Sequence, residues 1–264
     1  MGEVVAVVSQ KGGVGKTATT VNLGACLAAI QRRVLLMGVD PQSGLSRSFG
    51  FEPSDTHPGL LDVVRDGASL EDAIYQVNTR LPRLDLVPLN IASSNDEAQF
   101  VEILERDPST LAPELQRLRA SYDFIFLDCP SRLDTPTLAA LTAADSYLVP
   151  VQCEYASMAT VGRVLRAALE VKRRYNTKLA IFGFLLTMAD KRAGFTIKIV
   201  QEIRQYFKER VFRTIIPRDP RLAEVPHRQA PVIVYDIECP GSRAYIQLAR
   251  EILGGGIART GKPR

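Results

Sequence analysis

Ser9-Gln10-Lys11-Gly12-Gly13-Val14-Gly15-Lys16-Thr17 joins an apolar run to a helical pattern through a cluster of glycines. Before it lies Val4-Val5-Ala6-Val7-Val8, a continuous apolar run with the composition of a strand buried on both faces. After it, Lys16–Ile30 carries a helical pattern. A glycine-rich turn between a strand and a helix is the setting of a phosphate loop. Its glycines let backbone N–H groups converge on phosphate oxygens, and the helix N-terminus adds partial positive charge. Lys16 is then expected against the β- and γ-phosphates, and the Thr17 hydroxyl on Mg²⁺. The general pattern G-x-x-x-x-G-K-[ST] is met incompletely. Gln10 stands where its first glycine belongs, and an additional lysine, Lys11, follows.

Working outward, apolar runs alternate with helical patterns. Strands are expected at Val34–Val39, Leu84–Pro88, Phe124–Leu127, Tyr147–Val151, Leu179–Leu186 and Val211–Ile215. Helices are expected at Leu111–Ser121, Pro136–Ala143, Met158–Arg174, Phe195–Phe207 and Ser242–Leu253, with short helical turns at Leu60–Arg65 and Leu70–Tyr75. The alternation predicts an α/β fold of the P-loop NTPase type: a mostly parallel, twisted sheet with helices on both faces. One domain over 1–253 and a flexible tail over 254–264 are expected, the tail opening on Gly254-Gly255-Gly256.

Two acids end apolar strands. Asp128 follows Phe124–Leu127, where a carboxylate holds Mg²⁺ directly or through water. Asp40 follows Val34–Val39 and is placed to orient or deprotonate an attacking water. In open α/β sheets ligands sit at the carboxyl ends of the strands, where the loop and both acids fall.

The 264 residues are 46% hydrophobic and 23% charged, which excludes disordered and fibrous classes. No apolar run approaches the roughly 18 residues of a bilayer span, and the N-terminus lacks the form of a signal peptide. Cys26, Cys129, Cys153 and Cys239 are widely spaced and read as reduced cytosolic thiols. Charge is uneven: residues 185–264 carry 15 Lys/Arg against 8 Asp/Glu, and residues 1–184 carry 18 against 21. A basic C-terminal third suggests a polyanion partner.

The segments KGGVGKTATTVNLGACLA, VLLMGVDPQ, YDFIFLDCPS, VPVQCEYASM, LLTMADKR, VFRTIIPRDPRLAEVP and GSRAYIQLAREIL together resemble the ParA/MinD family of deviant Walker-A ATPases. Among them the chain is most similar to the chromosomal, Soj-type ParA partition proteins. The resemblance implies a slow ATPase using ATP and Mg²⁺, cytoplasmic and associated with the nucleoid. Lys11 would be the signature lysine that reaches a partner's phosphates across a nucleotide-sandwich homodimer, with Gly12 at the close interface. Lys16, with Lys11 and the catalytic acid Asp40, would serve hydrolysis. Gly13, Val14, Gly15, Thr17 and Ala18 would complete the nucleotide site with Pro217, Arg218 and Asp219 near the base. Thr17 and Asp128 would hold the metal. Arg192 and Arg221, assisted by Lys191 and Lys198, would bind double-stranded DNA without reading its sequence. A ParB-type centromere-binding protein would speed hydrolysis and release.

The chain departs from the family's pattern in places. Gly38 replaces a common acid, Ala18 a frequent Thr, Ser131-Arg132 a usual Pro-Ser and Asp219 a frequent Asn. Three other readings compete. A MinD-like membrane ATPase needs a basic amphipathic C-terminal helix, which Gly254-Gly255-Gly256 interrupts, so no membrane partner is expected. An iron–sulfur relative would bridge a cluster between subunits with two cysteines from each. Cys129 after Asp128 is suggestively placed, Cys153 has no clear role, and small buried thiols are the favoured reading. A third reading keeps the family and replaces DNA cargo with a protein cluster moved over the nucleoid.

Overall fold

A computed structural model describes residues 2–77, 80–154, 157–190 and 194–255. Its strands are β1 (Glu3–Val7), β2 (Val34–Gly38), β3 (Tyr75–Gln76), β4 (Leu84–Val87), β5 (Phe124–Asp128), β6 (Ser146–Gln152), β7 (Ala180–Ala189) and β8 (Val211–Pro217). They form one sheet in the order β3-β4-β2-β5-β1-β6-β7-β8. Every pairing is parallel except that of β3 with β4. The expected α/β architecture is therefore present.

The helices are α1 (Lys16–Ala29), α2 (Gly44–Arg47), α3 (Leu60–Asp66), α4 (Ser94–Arg106), α5 (Leu111–Leu118), α6 (Thr135–Ala143), α7 (Ser157–Arg174), α8 (Gly194–Phe207), α9 (Pro220–Ala223), α10 (Val225–Arg228), α11 (Val232–Tyr235) and α12 (Pro240–Leu253). Side chains alternate across a strand, so both sheet faces must be covered. Val4, Ala6, Leu35, Met37, Ile125 and Leu127 point into one core, shared with residues of α3 to α8. Val5, Val7, Leu36, Phe124 and Phe126 point into the other, shared chiefly with α1 and α12. This two-sided burial is the reason the strands read as unbroken apolar runs. Gly24 lets α1 lie close to the sheet: a Cβ there would stand 2.7 Å from Leu36 Cδ2.

Two expectations change. Leu70–Tyr75 is not helical. Leu70 and Ala73 are buried in a turn, and Tyr75 enters β3, opposite Leu86. The helix α4 was not expected at all. It buries only Phe100 and Leu104, and its polar face hides the period. Its start is set by Ser93, whose hydroxyl accepts from Asp96 N–H at 3.1 Å.

An edge strand with unpaired backbone groups invites association with other chains. At the β8 edge, the Glu251 carboxylate accepts from the N–H groups of Arg213 (2.6 Å) and Thr214 (2.9 Å). Arg204 donates to the Arg213 carbonyl at 2.9 Å. Two side chains thus occupy polar groups that a further strand would use. The expected tail lies mainly in 256–264, outside the described residues.

Candidate functional site

The loop between β1 and α1 takes its shape from its glycines. Gly13 and Gly15 have φ of 72° and 92°, a region that disfavours side chains. Gly15 is the N-cap of α1 and no side chain caps the helix, so the first-turn N–H donors stay open to a ligand. The Thr187 hydroxyl, from β7, donates to Val14 O at 2.9 Å and fixes the loop against the sheet. Gly12 is different. It is exposed, and a Cβ there would meet only Ser131 Oγ, at 3.8 Å. Among the described residues, no contact of that Cβ requires glycine at position 12.

Lys16 opens α1 with its side chain buried. Its Nζ donates to Ser131 Oγ at 2.9 Å and to Lys11 O at 3.4 Å. Burial lowers its pKa, against the opposing pull of Asp128, Asp40 and Cys129. Among the described residues no carboxylate forms an ion pair with it. The charge is thus neutralised only from a distance, which suits a site for an anionic ligand.

Asp128 ends β5 and is fully buried. It accepts from the hydroxyls of Thr17 (2.8 Å, Oδ2) and Thr20 (3.3 Å, Oδ1), both on α1. Burial pushes its carboxyl up to about 7, against the lowering effect of the Thr17 hydrogen bond. It caps no helix, so its position serves the site. A carboxylate desolvated beside a hydroxyl at a phosphate loop fits one divalent cation. No group of three His, Cys, Asp or Glu among the described residues suits a metal by itself. That agrees with a cation of the Mg²⁺ type, which takes one or two protein oxygens and completes its shell with phosphates and water.

Asp40 lies just past β2, where its Oδ1 accepts from Gln42 N–H at 3.0 Å. It lines a cavity of about 550 Å³ together with Gly13 to Ala18, Ser131, Thr187 and Met188. The far end of that cavity is formed by Ile216, Pro217, Arg218, Asp219, Leu222 and Tyr245. Pro217, Arg218 and Asp219 therefore line the same cavity as the loop. Asp219, however, is committed to the backbone: its two oxygens accept from Arg221 N–H (3.0 Å) and Gly241 N–H (2.7 Å). Its carboxylate positions α9 and α12.

Lys11 turns away from this cavity. Its Nζ donates to Gln152 Oε1 at 2.9 Å and forms an ion pair with Glu154, both near the end of β6. Arg221 is half exposed and pairs with Glu224 at 3.2 Å and Asp236 at 3.4 Å. Lys198 is exposed on α8. Lys191 and Arg192 lie outside the described residues. Cys129 and Cys153 are both buried in the core, and Cys129 Sγ lies 3.6 Å from Leu127 O, so neither presents a surface ligand.

Sequence reasoning missed Ser131, Thr187, Met188, Ile216 and Tyr245. Each comes from a strand end or helix distant in sequence, and only the sheet order brings them to the loop. Ser131 alone left a mark, as a departure from the pattern after β5.

Known proteins resemble this chain in sequence and in fold. Residues 2–181 match the family described as AAA domain. The sporulation initiation inhibitor protein Soj of Bacillus subtilis is 40% identical over 256 residues, covering 97% of this chain and 100% of that protein. The chromosome partitioning protein ParA of Caulobacter vibrioides is 38% identical over 252 residues, covering 95% and 93%. Cobyrinic acid a,c-diamide synthase of Mycobacterium smegmatis, solved with a bound ATP analogue and magnesium, is 29% identical with a TM-score of 0.80, over 96% of this chain and 95% of that one. No helix among the described residues is long and apolar enough to cross a membrane.

Proposed function

Because the chain belongs to the ParA/Soj family of chromosome-partitioning, ATP-hydrolysing P-loop enzymes, we propose that it is a DNA-partition switch whose ATP state is a homodimer that binds DNA. Lys11 and Gly12 carry this reading. A second loop lysine lies beside a glycine whose Cβ would meet only Ser131 Oγ among the described residues. Both features make sense where another protomer closes on the loop.

The phosphates of ATP rest on the N–H groups of Gly13 to Thr17, with Lys16 against the outer two. The base lies toward Met188, Ile216 and Pro217. Thr17 and Asp128 hold Mg²⁺, which when bound offsets phosphate charge. Asp40 orients the attacking water and takes its proton, so it serves hydrolysis rather than binding. Lys11 leaves Glu154 and meets the partner's phosphates. In the dimer, Arg221, Arg192, Lys191 and Lys198 contact DNA phosphates without sequence readout. Hydrolysis, slow alone and accelerated by a ParB-type centromere-binding protein, releases the DNA. The chain then acts in the cytoplasm on the nucleoid, as one domain over 1–253.

Light scattering tests this reading. ATP with Mg²⁺ should double the mass of the wild-type chain. Gly12→Val, at a position where a Cβ would stand 3.8 Å from its nearest neighbour, Ser131 Oγ, should bind ATP and remain monomeric. A Gly12→Val chain that dimerises like wild type contradicts the proposal.

A further inference from the structure

Ser131 stands three residues beyond the end of β5, beside the phosphate loop. Its Oγ accepts a hydrogen bond from Lys16 Nζ at 2.9 Å. It also faces Gly12, at 3.8 Å from where a Cβ would be. A serine hydroxyl has one proton to give and two lone pairs. Here one lone pair is used by an ammonium, and among the described residues no hydrogen bond takes the proton.

This pairing has a chemical consequence. A hydroxyl that accepts from a cation is polarised and becomes a stronger donor. Lys16 is buried, has three protons to donate and finds two oxygens, neither of them charged. A carboxylate at position 131 would neutralise Lys16 against its own chain. An alanine would leave the ammonium with one partner fewer. Serine holds the lysine and leaves its charge available.

The direction of the remaining proton follows from what surrounds it. The inner phosphates are served by the loop N–H groups and the start of α1. Ser131 approaches from another element and lines the cavity with Asp40 and Lys16. That is where the outermost phosphate would lie. We propose that Ser131 donates a hydrogen bond to the terminal phosphate of a nucleoside triphosphate, and that this makes the site distinguish triphosphate from diphosphate. The inference rests on the ATP reading above and adds a specificity-determining residue to it. A residue without a hydroxyl at this position could not make the contact.

The test is equilibrium binding of a non-hydrolysable ATP analogue and of ADP, each with Mg²⁺, to the full chain and two variants. A hydrogen bond to a charged group corresponds to roughly a tenfold or greater change in affinity. Ser131→Ala should lose about tenfold or more for the triphosphate and less than twofold for ADP. Ser131→Thr, which keeps the hydroxyl, should retain most of the wild-type preference. Equal weakening of both nucleotides would reduce Ser131 to a support for Lys16 and overturn the proposal. Unchanged affinity for both would overturn it too. Wild-type chain that binds neither nucleotide would remove the ATP reading itself, and this one with it.

Discussion

Lys11, on the phosphate loop, is held by Glu154 of its own chain, with both side chains about one-third exposed. Gln152 adds a second acceptor at 2.9 Å. The lysine that would serve a partner is thus neutralised at home in the free protomer. An ion pair this accessible is worth ~0.2–1 kcal/mol. Two protomers must each release one, so the dimerisation constant carries about a two- to thirtyfold handicap. Glu154→Gln keeps an acceptor and removes the charge. It should therefore strengthen ATP-dependent dimerisation within that range, read by sedimentation across protein concentration. Weaker dimerisation in Glu154→Gln would assign Glu154 to the dimer contact instead.

If Asp128 holds the cation, nucleotide binding depends on pH. Its carboxyl is raised to about 7 by burial in the metal-free chain. Below about pH 4 both folded and unfolded chains hold its proton, and the stabilisation from the raised pKa is fully present. As pH climbs toward 7 the unfolded chain has released that proton while the folded chain retains it, so the stabilisation fades by a few kcal/mol in order of magnitude. A bound cation needs the charged carboxylate. The melting temperature without nucleotide should fall on going from pH 5 to pH 8. The increment given by Mg²⁺ with ADP should grow over the same range. Asp128→Asn should flatten both trends. A Mg²⁺-dependent increment that ignores pH would place the cation elsewhere.

The centre of this site was legible because its signals are local. Glycine spacing, a lysine and a threonine sit in one nonapeptide, and Asp40 and Asp128 each end a continuous apolar run. The sheet was legible because burial on both faces leaves unbroken hydrophobic strands. What escaped was either weakly patterned or assembled from afar. The helix α4 buries two side chains, too few to show a period. Tyr75 becomes a strand residue through Leu86, eleven positions on. Ser131 reaches Lys16 across 115 residues, and Thr187 reaches Val14 across 173. No local pattern encodes such contacts. The acids around Arg221 were hidden in the same way, since Asp236 lies on the segment after α11.

That setting changes how Arg221 should be tested. Charge reversal would place a third carboxylate beside Glu224 and Asp236, and loss of DNA binding could then reflect a disturbed α9 and α10. Arg221→Gln removes the charge without adding repulsion. It should dimerise with ATP and melt within a few degrees of wild type. If Arg221 neutralises a DNA phosphate, its removal should lower the log–log salt slope of DNA binding by about 1. A slope equal to wild type would mean that Arg221 serves only its intrachain acids.

On the proposed function, nucleotide state gates a phosphate-directed grip on DNA. Retention of random-sequence duplex tests it most directly, with Mg²⁺ and either ATP, ADP or no nucleotide, across a salt series. Retention with ATP alone, falling steeply as salt rises, is expected. Equal retention in all three states, or none in any while ATP binding is measurable, would contradict it.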